Sequence, residues 1–373
     1  MNAARRRSAA LAASLVGVLL AGCAAADLPQ GKVIENASLE ASKNLLAVDK
    51  KTQLSDELLE SLTSMTLPGC SAAVAVRGEL VWANARGLAD IASGTPLTTS
   101  TRFDIASISK QFTATAVLLL QRDGLLSLSD PVSRYIAGLP RWADETTLDA
   151  LMHHTARLPD YWIELDRRGI GFTDAADQST TLAAIAREPD REPGDGYFYS
   201  NSHYVLLATV VENVSGQSLP DFLQTRVFSP LDLDMALAPT LLAPDIATSY
   251  EVDLAVQQGA WSAYGHTGII TTPTDLALWG DEYRDGEIVS DDFAEGAISD
   301  NDGARYGAGI YLNDDGTLSH SGRWGGYLSN FRVSVDRDVV MAVACNGRAA
   351  PRADLANGLW ALWTEPIEPL IPE

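Results

Sequence analysis

The sequence predicts an α/β (α+β) fold, an antiparallel sheet flanked by helices with a mainly helical lobe inserted into it. Strand patterns at residues 70 to 77 and 79 to 85 pair as a hairpin around Arg77-Gly78, and the last strand patterns come much later, from His320 onward. One sheet must therefore gather both ends of the chain. Between them, residues 125 to 265 read mostly as helix, broken by turn clusters such as ARLPDY, REPGDG and SGQSLP. The sheet lobe is assigned to residues 51–124 and 266–373, and the helical lobe to 125–265. With 373 residues, 46% of them apolar, the chain can fill a substantial core. Its net charge of −22 repels phosphate backbones and excludes nucleic acid or electrostatic docking on anionic lipid. Three cysteines are too few for a disulfide-stapled miniprotein, and no Cys/His spacing suits zinc, so no metal and no cofactor is expected.

The N-terminus reads as an address. Arg5 to Arg7 precede an apolar run at residues 8 to 22 that is too short to span a bilayer, and Cys23 follows small residues. Residues 1–22 are thus expected to be a signal peptide. The string LLAGC resembles the bacterial lipobox, which makes Cys23 the expected lipid-attachment site and residues 23–50 a flexible tether. The expectation is an extracytoplasmic lipoprotein, in the periplasm or cell envelope, touching the membrane through its anchor alone.

Of 27 cationic residues, five are lysines: Lys32, Lys43, Lys50 and Lys51 lie in or beside the tether, and Lys110 is alone in the domain. Arginine meets every other cationic need. A lone internal lysine suggests a task that guanidinium cannot perform, and losing a proton is such a task. Phe112, Ala116, Leu119 and Leu120 recur at helical spacing, predicting a buried helix from 107 to about 122. Ser107 then lies one turn before Lys110, with a base in reach of its hydroxyl and a helix N-terminus favouring an oxyanion.

Around this pair the chain resembles the serine penicillin-recognising enzymes: class C β-lactamases, DD-carboxypeptidases, related esterases and D-aminopeptidases. SISK at Ser107–Lys110 matches their first motif, YSN at Tyr199–Asn201 the second, and HSG at His320–Gly322 the third, with supporting matches at PGCSAAVAV, GLLSLSDPVSRYI, LMHHTARLPDY and YGAGIYL. The resemblance spans about residues 55 to 365. It implies a β-lactamase/transpeptidase-like fold with Ser107, Lys110 and Tyr199 as catalytic residues, and substrate contacts at Asn201, His320, Ser321 and Gly322. It also implies backbone N–H groups of Ser107 and Arg323 as oxyanion donors, and strands that set Cys70 near Cys345 for a possible disulfide. A neighbouring ammonium would lower the Tyr199 phenol, letting Lys110 and Tyr199 share a proton, and Asn201 in an extended loop would offer its amide to substrate.

A second HTG string at His266–Gly268 leads into a short strand and a helix, so it is read as structural, whereas HSG leads into further strands as an edge strand should. Histidine at 320 replaces the family's usual lysine, exchanging a permanent cation for a group titrating near 6.5. Ala156-Arg157 stands where relatives carry Ser-Gly, which strains Arg157 if φ is positive there. His153 and His154 are expected to make structural hydrogen bonds. The functional expectation is a serine hydrolase working through an acyl-enzyme on an amide, ester or β-lactam carbonyl, with D-amino-acid peptidase or esterase favoured. A class C-like β-lactamase is the alternative, and a non-catalytic binder of cell-wall peptide or protein is the alternative of another class.

Overall fold

A computed structural model describes residues 47–189, 196–240, 243–257, 260–289, 291–300 and 303–365. The leader, Cys23 and the first part of the predicted tether lie outside the described residues. Helix α1 covers residues 47–62, so the tether expected to reach residue 50 has given way to helix by residue 47. Leu58, Leu59 and Leu62 recur at helical spacing and pack on the sheet, and Lys51 donates to the carbonyl of Glu365 at 3.0 Å.

The central sheet has eight strands: β1 (Cys70–Val76), β2 (Glu79–Arg86), β3 (Ile298–Ser299), β4 (Arg305–Tyr306), β5 (Tyr311–Leu312), β6 (Leu318–Trp324), β7 (Tyr327–Val333) and β8 (Val339–Cys345). Their order is β2-β1-β8-β7-β6-β5-β4-β3, antiparallel throughout. The two ends of the chain meet where β1 pairs with β8, with Cys70 opposite Cys345 and a disulfide joining them. Alternation sorts the side chains of these two strands onto two faces. Cys70, Ala72, Val74, Met341 and Val343 pack under Leu59, Leu355 and Trp363 of α1 and of the last helix described below, while Ala73, Ala75, Val340 and Ala342 join the main core on the other face. Both faces are covered, which is why these strands read as continuous apolar runs.

Further helices among the described residues include α2 (Lys110–Arg122), α3 (Asn201–Ser215), α4 (Pro273–Trp279) and α5 (Arg352–Thr364). Every residue of α2 from Lys110 to Leu120 is buried. Its polar side chains are therefore tied down: Thr113 donates to the Gly265 carbonyl at 2.7 Å, and Gln111 Oε1 accepts from Tyr283 OH at 2.7 Å. One core runs from Phe331 and Ala342 of the sheet through Phe112 and Leu119 of α2 to Leu206 and Leu207 of α3. A small three-stranded sheet, Ala236–Leu237, Ile269–Thr271 and Phe103–Asp104, delivers the chain to Ser107.

Candidate active site

The helix expected from residue 107 begins instead as a 3₁₀ turn, Ala106–Ser109, and becomes α-helical at Lys110. Its geometry is imposed from outside. Ala106 sits at φ 53°, a left-handed conformation that costs a non-glycine residue about 1 kcal/mol or more. Asp104 Oδ1 offsets this cost by accepting from Ala106 N at 2.7 Å, and Ser329 Oγ on β7 donates to the Ile105 carbonyl at 2.7 Å. Gly322 on β6 packs straight onto the turn. A Cβ there would overlap Ser329 Oγ and lie 2.5 Å from the Ile105 carbonyl. On the other side Gly309, in the YGAG string and at φ 76°, has room for no more, since a Cβ would lie 2.6 Å from Gln111 N. Both glycines are therefore required by close approach to the segment that carries Ser107 and Lys110.

Lys110 is fully buried, and its Nζ lies 3.1 Å from Ser107 Oγ, 2.9 Å from Asn201 Oδ1 and 3.0 Å from the His266 carbonyl. Burial lowers its pKa to about 7, with the Asp160 carboxylate pulling the other way. Two of its three neighbours can only accept. A neutral amine has two N–H bonds and one lone pair, so donating to Asn201 Oδ1 and to the His266 carbonyl leaves the lone pair facing Ser107 Oγ.

Asn201 is the first residue of α3, preceded by the Ser200 cap, and not part of an extended loop as the sequence suggested. Its amide is committed on both sides. Oδ1 faces Lys110, and Nδ2 donates to Asp160 Oδ2 at 2.9 Å. The Tyr199 ring centroid is 4.9 Å from Lys110 Nζ, and its hydroxyl is hydrogen-bonded with Ser107. Its acidity corrects an expectation: burial raises the phenol pKa well above its ordinary value, outweighing the Ser107 bond, so Tyr199 stays a neutral phenol. Tyr197 is elsewhere, bonded to Tyr311 OH at 2.7 Å.

His320 differs in the same direction. Its Nδ1 donates to the Ser321 carbonyl at 2.8 Å, and Nε2 accepts from Tyr306 OH at 3.2 Å. Burial, then the nearby Lys110, lowers its pKa to about 3 rather than leaving it near 6.5. It is a neutral imidazole within a buried aromatic cluster with Tyr306 and Tyr311. Its strand, expected at the sheet edge, is internal in the strand order. The short β5 pairs only with Leu318 and Ser319, however, so from His320 onward β6 has no strand partner on that side among the described residues. His266 of the HTG string bonds Tyr161 OH through Nε2 at 2.8 Å, while its carbonyl serves Lys110. Arg157 is at φ 55°, and His154 Nδ1 faces His203 Nδ1 at 2.8 Å while His153 bonds Asp149.

Beside Ser107 opens a cavity of about 400 Å³ with Asn201 and Arg323 in its lining and Trp162, Trp261 and Trp324 as aromatic walls. His320, Ser321 and Gly322 do not line it among the described residues. A nucleophile-sized hydroxyl, an adjacent amine with a free lone pair, a neutral phenol and an aromatic cleft are the parts an acyl-transfer site needs.

The beta-lactamase family model matches residues 56–362. This chain belongs to the beta-lactamase family. It shares that family's antiparallel sheet and flanking helices. Among curated beta-lactamase-family relatives it is 33% identical over 284 residues to a D-aminopeptidase of Brucella anthropi, covering 71% of this chain and 52% of that protein. It is 29% identical over 281 residues to penicillin-binding protein 4* of Bacillus subtilis (strain 168), covering 67% and 62%. The chain thus spans between half and two thirds of these relatives' lengths. Among solved structures, the octameric penicillin-binding protein homologue from Pyrococcus abyssi superposes with a TM-score of 0.72 at 23% identity, covering 84% of this chain and 76% of that one. The D-amino acid amidase from Ochrobactrum anthropi SV3 gives 0.71 at 21%, covering 84% and 98%.

Two groups around Lys110 escaped the sequence reading. Asp160 lies inside the quoted LPDY string, yet a single Asp in a turn resembles any loop residue. The His266 carbonyl has no signal at all, because every residue carries one. The aromatic walls Trp162, Trp261 and Trp324 are scattered over more than 160 residues, and only the fold brings them together.

Proposed function

We propose that this chain hydrolyses amides or esters of D-amino acids through an acyl-enzyme on Ser107. The observation that carries the reading is the Lys110 amine, buried, held by two obligate acceptors and left with its lone pair toward Ser107 Oγ. In the first step Nζ takes the Ser107 proton as Oγ bonds to the carbonyl carbon, and the carbonyl π pair moves onto oxygen. Backbone N–H groups of Ser107 and Arg323 are assigned to that oxyanion. As the tetrahedral centre collapses, the C–N or C–O bond breaks and the leaving group takes the proton back from Lys110 through the Tyr199 hydroxyl. Water then attacks the ester carbon, with the same amine accepting its proton; the C–Oγ bond breaks as that centre collapses, and Oγ takes the proton back from Lys110, restoring Ser107.

The preference for D-amino-acid substrates rests on the D-aminopeptidase relatives and on His320. Position 320 holds a neutral imidazole in place of a permanent cation and supplies no charge to a β-lactam carboxylate, which disfavours the β-lactamase reading. A fluorophosphonate should label Ser107 in the wild-type protein and not in Ser107→Ala, and D-alanyl p-nitroanilide should be turned over faster than nitrocefin. A wild-type protein that forms no Ser107 adduct sinks the hydrolase reading and favours the non-catalytic binder. Faster nitrocefin turnover favours the β-lactamase. The lipid anchor at Cys23 and residence outside the cytoplasm belong to the same proposal. The Cys70–Cys345 disulfide supports them, because such bonds persist in oxidising compartments. Metabolic labelling with an alkyne fatty acid, lost in Cys23→Ser, tests this.

A further inference from the structure

We infer that Asp160 is a positioning residue that fixes the Asn201 amide and, through it, the direction in which Lys110 presents its lone pair to Ser107. This rests on the reading of Ser107 as nucleophile and Lys110 as base. Asp160 Oδ2 accepts twice from one residue, from Asn201 N at 3.1 Å and from Asn201 Nδ2 at 2.9 Å. A carboxylate offers no hydrogen, so the amide nitrogen must face Asp160 and the amide oxygen must face Lys110. Reversing the amide would turn its N–H toward Nζ, where it would compete with Ser107 for the amine's lone pair. The orientation of one buried amide thereby decides whether the base points at the nucleophile.

Asp160 also contributes charge. The groups facing Lys110 from the surrounding elements are His154, His203, His266 and His320, all held neutral by burial, the phenols Tyr199 and Tyr204, and Asp160. Asp160 itself faces Tyr161, Tyr199, the backbone N–H of Trp162 and the N-terminal residue of α3. It is thus the charged partner among these groups, and it opposes the desolvation that lowers Lys110. A carboxylate that lent only its charge would shift the titration of Lys110 and leave the labelling rate of the neutral amine unchanged.

The experiment is the rate of fluorophosphonate labelling at Ser107 against pH, alongside thermal melts. Wild-type labelling should rise with pH along an acid limb set by Lys110. Asp160→Asn removes the charge and permits the amide to reverse, so the limb's midpoint should fall by about half a pH unit or more and the plateau rate by about ten-fold or more. A folded Asp160→Asn protein with either the wild-type midpoint or the wild-type plateau overturns the inference. Should that variant not fold, Asn201→Ala tests the link from the other side. It keeps the charge and loses the relay, so the midpoint should stay and the plateau should fall by about ten-fold or more. An unchanged plateau overturns the inference. Absence of Ser107 labelling in the wild type is a different failure, that of the underlying catalytic reading.

Discussion

Replacing Lys110 by methionine should abolish acylation and, at the same time, change stability relative to the wild type by an amount that moves against the variant as pH rises. The fold holds this amine with its pKa lowered to about 7, against an ordinary value of 10.5. Below pH 7 the lysine is protonated in both folded and unfolded chains, and the folded state bears the full burden of a desolvated cation. Between pH 7 and 10.5 the unfolded chain binds the extra proton, so wild-type stability climbs with pH by about 1.4 kcal/mol per unit from this group alone. Methionine does not titrate, and the other titrating groups are shared. Against that gain stand the His266 carbonyl and Asn201 Oδ1, which lose their donor at about 1–3 kcal/mol each. The absolute difference is therefore less diagnostic than its slope. Urea unfolding of both proteins at pH 7 and pH 9 should show the methionine variant's relative stability falling by about 2 kcal/mol across that interval. A difference that holds constant to within about 0.5 kcal/mol would mean that Lys110 keeps an ordinary pKa, and the lone-pair mechanism would go with it.

Gly322→Ala should lower kcat/KM by about a hundred-fold or more, because the new methyl group displaces the turn that aims Ser107. Wild-type rates in that variant would show that β6 and the turn are not in contact. Cys70→Ser with Cys345→Ser should cost about 2–5 kcal/mol, read as a lower urea midpoint that dithiothreitol reproduces in the wild type. His320 has its folded pKa at about 3, so stability is present above pH 6.5 and lost as pH falls toward 3 while the unfolded chain gains a proton. His320→Gln should therefore flatten the acid slope by close to one proton. An unaltered slope would place His320 in contact with water.

Local pattern was enough for the long strands of the sheet and for the Ser107–Lys110 pair. The strands β1 and β8 are apolar runs bounded by turns, and the run from Phe112 to Leu120 has helical period, so both are legible one residue at a time. Lys110 stood out because the chain otherwise uses arginine. What pattern could not supply was the effect of burial on proton affinity. Tyr199 was read as lowered by the neighbouring ammonium and His320 as titrating near 6.5, whereas burial among Tyr197, Tyr306 and Tyr311 moves both away from charge. The Asn201 orientation was equally hidden, since it depends on Asp160, 41 residues earlier. The strands β3, β4 and β5, two residues each, are too short for any periodicity to show.

The bond between Cys70 and Cys345 closes a covalent ring that spans 275 positions and contains Ser107, Lys110, Asp160, Tyr199, Asn201 and His320. A protease that cuts one surface loop inside that ring opens the circle without releasing either piece. In surroundings rich in proteases, a nicked molecule would remain one molecule, with the severed parts still threaded through the same fold.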